Sequence, residues 1–244
     1  MAADPLDTDP PDTDPLGADE LSGWARRIAG VLRRSGRPLL VLQAAVLLPA
    51  GGIAYGLSLL GFAGGIAAGL LAAAAISLAQ AASVDLTVRE AAGRPTAVSA
   101  ALTAGVRRTP LLLGWSAVTA VLTLAGLALA VLPGLYVAMI GAAALPGAVV
   151  VEGAGLRRAA GLVNRHLAGT AVRCAAGLFA AAFYGALAGA LVTALPAGPS
   201  EVVRALVVLP FSVLATAFGT VTYAGLRRAE DGSTTADLAA DLDL

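Results

Sequence analysis

Few side chains in this chain are of types that do chemistry. There is one histidine, His166, and one cysteine, Cys174. Outside the acidic ends there are four carboxylates: Asp85, Glu90, Glu152 and Glu201. A general base needs a partner within hydrogen-bond reach, and His166, held between Arg165 and Leu167, is read as an interfacial residue instead. Cys174 lies in an apolar run. It has no second cysteine for a disulfide and no CxxC spacing for zinc or redox work, so it reads as a small buried hydrophobe. Glu152 closes an apolar run just before Gly153. It is expected to pair with Arg157 or Arg158, or to cap the helix that follows. No His, Ser, Asp and Glu grouping falls at membrane depth. The expectation is a chain that is not an enzyme and holds no cofactor or metal.

The elements that position these residues follow from composition. Of 244 residues, 58% are hydrophobic and 13% charged, about half the charge of an ordinary soluble domain. The mean hydropathy is +0.82. No soluble fold has enough interior for this surplus, so the solvent is read as a bilayer. The predicted fold class is all-α, a polytopic helical membrane protein. Six apolar runs are long enough to cross about 30 Å of hydrocarbon: about 39–60, 64–83, 111–132, 135–151, 171–195 and 203–226. Gly61-Phe62-Ala63-Gly64-Gly65 reads as the first turn, Pro133-Gly134 as the second, and Pro196 to Ser200 as the third. Residues 1–20 read as a disordered acidic, Pro-rich tail, 21–228 as the membrane domain, and 229–244 as a second disordered acidic tail. The N-terminus lacks the basic start and apolar core of a secretory signal.

All 16 basic residues are arginine, balanced by 16 acids. Fifteen arginines fall on one side of the six-span arrangement and only Arg204 on the other. The positive-inside rule then places both termini in the cytoplasm, and the predicted location is the bacterial cytoplasmic (inner) membrane. Residues 21–35, 96–108 and 155–168 each combine an apolar face with arginines. They are predicted to be basic amphipathic helices in the headgroup layer, one before each hairpin. Their arginines, Arg26, Arg27, Arg33, Arg34, Arg107, Arg108, Arg157, Arg158 and Arg165, are the candidate contacts to anionic lipid, at about 1 kcal/mol per charge near the surface. The basic residues carry no interleaved aromatics, so a nucleic-acid partner is not expected.

The basic helix and hairpin recur three times, near 21–84, 93–151 and 155–226. Arg37-Pro38-Leu39-Leu40 echoes Thr109-Pro110-Leu111-Leu112. Gly61, Gly65 and Gly69, Gly52 with Gly56, and Gly185 with Gly189 have the spacing that lets helix backbones pack closely. Pro49, Pro146 and Pro210 fall within runs and predict kinks. Gln43, Tyr55, Gln80, Ser116, Thr119, Thr123, Tyr184, Ser212, Thr216 and Thr220 could line a cavity opened by such kinks, or hydrogen-bond between helices.

The second half resembles a bacterial membrane family. The residues that carry the resemblance are Leu132-Pro133-Gly134-Leu135-Tyr136, Ala144-Leu145-Pro146, Val151-Glu152-Gly153-Ala154-Gly155 and Leu156-Arg157-Arg158-Ala159. This order is similar to the glycerophosphoryl diester phosphodiesterase membrane domain, a six-span module common in actinobacteria. In that family a serine and an aromatic are expected soon after the arginine pair; here Gly161 and Leu162 stand instead. The resemblance implies structural roles for Pro133, Gly134, Pro146 and Glu152. It implies no activity, because the family's phosphodiesterase barrel uses paired histidines with metal-binding carboxylates, which this chain lacks.

Two functions from different classes follow from the sequence. The first is a non-enzymatic scaffold, anchor or accessory subunit that engages anionic lipids and a protein partner of unknown identity. The alternative is a small permease or channel-like transporter.

Overall fold

A computed structural model describes residues 14–17, 21–194 and 197–243; the side chains of 21, 191–192 and 197–208 lie outside the description. Among the described residues the regular secondary structure is all helix, without strands. A bilayer leaves backbone groups no water to bond, so a spanning segment must satisfy its own N–H and C=O groups as a helix. The helices are α1 (Leu21–Ser58), α2 (Gly61–Ala91), α3 (Val98–Leu129), α4 (Val131–Ala143), α5 (Leu145–Glu152), α6 (Leu156–Arg165), α7 (Leu167–Thr193), α8 (Ala197–Asp231) and α9 (Thr235–Asp241). Five of them (α1, α2, α3, α7, α8) are long and apolar enough to cross a membrane, and α4 with α5 forms a sixth crossing if the bent pair counts as one. The chain is therefore an all-helical, multi-pass membrane protein. Its surface agrees: Leu60, Phe62, Leu129 and Leu132 are each more than 70% exposed, a belt that water would not tolerate.

The turns sit a few residues from where the sequence put them. The first is Leu59–Leu60, and Gly61 (φ +80°) begins α2 rather than a loop. The second is Ala130, in extended backbone, so Pro133 and Gly134 lie in the first turn of α4. Proline is tolerated there because those N–H groups have no helical acceptor. Gly134 packs instead of turning: α3 crosses it so closely that a Cβ on Gly126 would lie 2.8 Å from the Gly134 Cα. Of the expected third break, 195–196 lie outside the described residues, and α8 begins at Ala197. Residues 1–13 and 18–20 of the predicted tail lie outside them too.

Two of the three predicted interfacial helices are not separate. Residues 21–35 and 96–108 are helical, but they run unbroken into the spans of α1 and α3. The reason is a buried stripe at three- and four-residue spacing: Trp24, Ile28, Val31, Ser35, Leu39 and Leu42. The stripe passes Pro38 without interruption, and packing on one continuous face outweighs the lost hydrogen bond. Only α6 stands alone. Its apolar face, Ala159, Leu162 and Val163, is fully buried in the protein core rather than facing lipid.

Three antiparallel pairs recur along the chain, α1 with α2, α3 with α4–α5, and α7 with α8, and α1 also packs along α8. The central helix is α8: 67% of its spanning stretch is buried, against 6% for α7. Burial concentrates towards the arginine-rich end of the bundle, at 77–88 of α2, 145–151 of α5 and 220–227 of α8. Trp24 ties α1 to α8 there. Its Nε1 donates to Thr222 Oγ1 at 3.1 Å, and its ring meets Phe218 edge-on at 5.6 Å. The glycine pairs expected to bring helices together do not: a Cβ on Gly52, Gly56, Gly65, Gly69, Gly185 or Gly189 would meet nothing within 4 Å. Close approaches occur at unpaired glycines, Gly105 on Ala82 and Gly147 on Tyr223.

Of the three interior prolines, only Pro146 accompanies a break. Pro49 and Pro210 lie inside α1 and α8, whereas α4 and α5 meet at 42° across Ala144.

The acidic C-terminal stretch is folded rather than disordered. Thr234 and Asp237 form a reciprocal capping box for α9, and Leu238, Ala239 and Leu242 are buried. Docking of that apolar face, reinforced by ion pairs to arginines far off in sequence, orders a segment whose composition reads as a solvated tail.

Candidate functional site

The charged residues at the arginine-rich end gather into two clusters. The first surrounds Asp85, whose side chain is 2% exposed on α2. Arg89 lies one turn on, with Nε 3.1 Å from Asp85 Oδ2, and Arg108 of α3 approaches Oδ1 at 3.6 Å. Asp243 then binds Arg89 at 2.7 Å and Arg94 at 2.9 Å, while Arg108 Nη2 donates to the Leu242 carbonyl at 2.8 Å. The residues after α9 thus bridge α2, the loop that follows it, and α3.

The second cluster is built on Glu152, the last residue of α5. Gly153 takes the left-handed conformation (φ +63°) that ends α5 and reverses the chain into α6. That turn brings Arg158 back onto Glu152, with Nε 2.7 Å from Oε2. From α8, the Tyr223 hydroxyl donates to Glu152 Oε1 at 2.6 Å, and Arg227 Nη1 lies 3.0 Å from the same oxygen. Of the partners expected from sequence, Arg158 is therefore used, and Arg157 is exposed to one side. Glu230 extends the cluster to Arg158 at 2.7 Å and Arg165 at 3.0 Å. Arg227 also reaches Asp231 at 3.1 Å and Asp241 of α9 at 3.5 Å. Asp14 joins the N-terminal segment to this end through Arg228 at 3.5 Å and the Thr235 hydroxyl.

The nine arginines singled out from sequence separate into groups. Arg108 and Arg158 are half-buried and paired with acids. Arg165 is exposed but held by Glu230. Arg27 is half-buried and has a partner. Arg26, Arg33, Arg34, Arg107 and Arg157 are exposed and pair with no acid among the described residues, and the same holds for Arg37. The paired clusters are nearly balanced. Asp85 and Asp243 face Arg89, Arg94 and Arg108; Glu152, Glu230, Asp231 and Asp241 face Arg158, Arg165 and Arg227. Uncompensated positive charge therefore sits on the outward faces of α1, α3 and α6.

The C-terminal acids respond to pH in a direction fixed by these contacts. The hydrogen bond from Arg89 and its charge, with Arg94 adding, hold the Asp243 carboxyl below the usual carboxylate range. The backbone and hydroxyl of Thr234 do the same for Asp237. A carboxyl depressed by folding stabilises the fold when ionised. The contribution of Asp243 to docking is complete above about pH 5, and it is lost as pH falls below the ordinary value near 3.9. A nitroxide at Ala240, on a Cys174→Ser background, is expected to gain mobility between pH 5 and pH 3. Asp243→Asn should give part of that gain at pH 7. Identical spectra at pH 7 with and without the Asp243→Asn substitution would contradict the role of the carboxylate.

Polar side chains within the bundle form a second feature. Gln43 Nε2 donates to Ser83 Oγ at 3.3 Å and to Thr216 Oγ1 at 3.2 Å, and Ser212 bonds the Gln43 carbonyl oxygen. These contacts lock α1, α2 and α8 together. Beside them lie two cavities, of about 440 and 550 Å³, that share Gln80 and Thr216 as wall residues. Ser116, Thr119, Thr123 and Thr220 line the larger one; Gln43 and Ser212 line the smaller. Of the ten polar residues noted in the sequence, only two face neither cavity: Tyr55 is 65% exposed and Tyr184 stacks on Phe211 at 5.9 Å.

His166 caps the end of α6 and, like Arg173, lines a cleft of about 440 Å³ between the α6–α7 junction and α8. Cys174 is buried, as expected. Among the described residues no three His, Cys, Asp or Glu side chains lie close enough to hold a metal ion. Sequence reasoning missed Tyr223, Arg227, Glu230, Asp241 and Asp243. Arg227 and Asp231 at i, i+4, and Thr234 three residues before Asp237, were the available signals. No family model matches the chain, and neither do the curated proteins or the solved structures.

Proposed function

We propose that this membrane protein is a non-enzymatic scaffold, anchor or accessory subunit of a bacterial cytoplasmic membrane. In this reading its arginine-rich end faces the cytoplasm and binds anionic lipid head groups, and the layout is that of the glycerophosphoryl diester phosphodiesterase membrane domain. The observation that carries the reading is the division of the arginines. Arg89, Arg94, Arg108, Arg158, Arg165, Arg227 and Arg228 pair with acids, while Arg26, Arg33, Arg34, Arg107 and Arg157 remain exposed without an acid among the described residues. An exposed guanidinium beside a bilayer matches a phosphate in geometry and charge.

The test is binding of a short-chain phosphatidylglycerol to detergent-solubilised protein across a salt series. Glutamine at all five exposed positions is expected to lower affinity at least tenfold and to flatten its salt dependence. Equal affinity and equal salt dependence in the five-fold variant would contradict the reading. Arg158 and Arg165 are unsuitable for this test, because changing them also breaks pairs with Glu152 and Glu230.

A second reading, a small permease, is favoured by one observation. The broken span α4–α5 borders a cavity, an arrangement that transporters use for substrate sites. Mass spectrometry of nanodisc-extracted protein separates the two readings. A stoichiometric protein partner supports the scaffold; a copurifying small solute without one supports transport.

A further inference from the structure

Seven threonines of the helices satisfy their hydroxyls in one way, and Thr220 does not. Thr87, Thr103, Thr109, Thr119, Thr170, Thr193 and Thr216 each donate their hydroxyl to the carbonyl four residues earlier. This is the usual way a helix satisfies a threonine away from water. Thr220 is 1% exposed, yet its Oγ1 has no partner among the described residues. It lines a cavity of about 550 Å³, open on one side, between α2, α3, the α4–α5 break and α8. That volume is in the ordinary range for small-ligand sites, about 300–1,000 Å³.

The break places a second polar group at the same wall. In a continuous helix the Ala142 carbonyl would accept from residue 146, which is a proline and has no N–H. Ala142 lines the same cavity, and α8 passes it at Gly219, where a Cβ would lie 3.2 Å from the carbonyl oxygen. A hydroxyl-bearing ligand suits both groups: its oxygen can accept from Thr220 and its proton can go to the Ala142 carbonyl. No charged residue lines the cavity, so an ionised head group would be buried without a counter-charge. Ala120 and Leu124 form part of the wall, and both are exposed on the outer surface of a spanning helix. The mouth therefore faces hydrocarbon, and a ligand enters from the bilayer.

We propose that this cavity binds the head of an uncharged, hydroxyl-bearing lipid, of the diacylglycerol class, with its acyl chains leaving past Ala120 and Leu124. The test is native mass spectrometry of the full-length protein in dodecyl maltoside titrated with 1-palmitoyl-2-oleoylglycerol. One bound molecule is expected. Thr220→Val keeps the side-chain shape and should weaken binding roughly three- to tenfold. Ala120→Phe changes only an exposed position and should block the mouth. Thr220→Val should also raise the unfolding midpoint of the lipid-free protein, since it removes a buried hydroxyl without a partner. The proposal is overturned by equal retention in all three proteins or by a lowered midpoint in Thr220→Val. The probe carries no charge, so its result is independent of the exposed arginines.

Discussion

Glu152→Ala is expected to destabilise the protein by about 3 kcal/mol, the largest loss for a single side chain at the arginine-rich end. The carboxylate joins α5, α6 and α8 by receiving Tyr223, Arg158 and Arg227 at 2.6–3.0 Å. Truncation leaves a hydroxyl and two guanidiniums facing an apolar methyl. The loss stays at the lower end for a broken buried pair because Arg158 keeps Glu230, and Arg227 keeps Asp231 and Asp241. Glu152→Gln retains an acceptor for Tyr223 and should cost about half as much. Denaturant unfolding in detergent, followed by the two tryptophans, measures both. A loss below about 0.5 kcal/mol for the alanine variant, the size of an ordinary surface substitution, would show that the cluster is not what holds these helices.

The second large effect comes from a residue with no side chain. Gly147 lies on α5 where Tyr223 of α8 crosses it, and a Cβ there would stand 2.2 Å from Tyr223 Cγ. Neither side can yield cheaply: Tyr223 is fully buried, and its hydroxyl is committed to Glu152. Gly147→Ala is expected to cost about 2–3 kcal/mol by overpacking, despite alanine's better helix propensity. The cause can be isolated. In a Tyr223→Ala background the ring is gone, and the added methyl should be nearly neutral or stabilising. Additive losses in the double variant would place the strain elsewhere.

These two residues mark what the sequence made legible. The spans could be read because twenty-residue apolar runs have few other uses, and the burden of arginine on one side ordered them. Glu152 was recognisable as a pairing residue from its place between an apolar run and an arginine pair. Tyr223 was not, because a tyrosine in a spanning helix reads the same whether it faces lipid or a carboxylate 71 residues away. The fold of 229–243 was hidden for a similar reason. Its acids read as solvated until Arg89, Arg94 and Arg227 are brought beside them by the packing of α2 and α8. Turns proved local in a different sense. Pro133-Gly134 carries a strong turn signal, yet proline suits the first turn of a helix equally well, and a glycine is also what lets α3 cross α4 at Gly126. The polar residues of the spans could be listed from sequence, but only their placement separates Gln43, tied to three helices, from Thr220, tied to none.

The arginines share one face only if the bent pair α4–α5 crosses the membrane as a sixth span. Single cysteines at Leu60, Ala97, Ala130, Ala154 and Ala236, in a Cys174→Ser background, can be probed with an impermeant maleimide on intact spheroplasts. Leu60→Cys and Ala130→Cys are expected to react from outside, and the other three only after the membrane is opened. Reaction of Ala154→Cys from outside, together with Ala130→Cys, would contradict the account. The pair α4–α5 would then enter and leave on one side, and the arginines of α6 would be parted from those of α1 and α3.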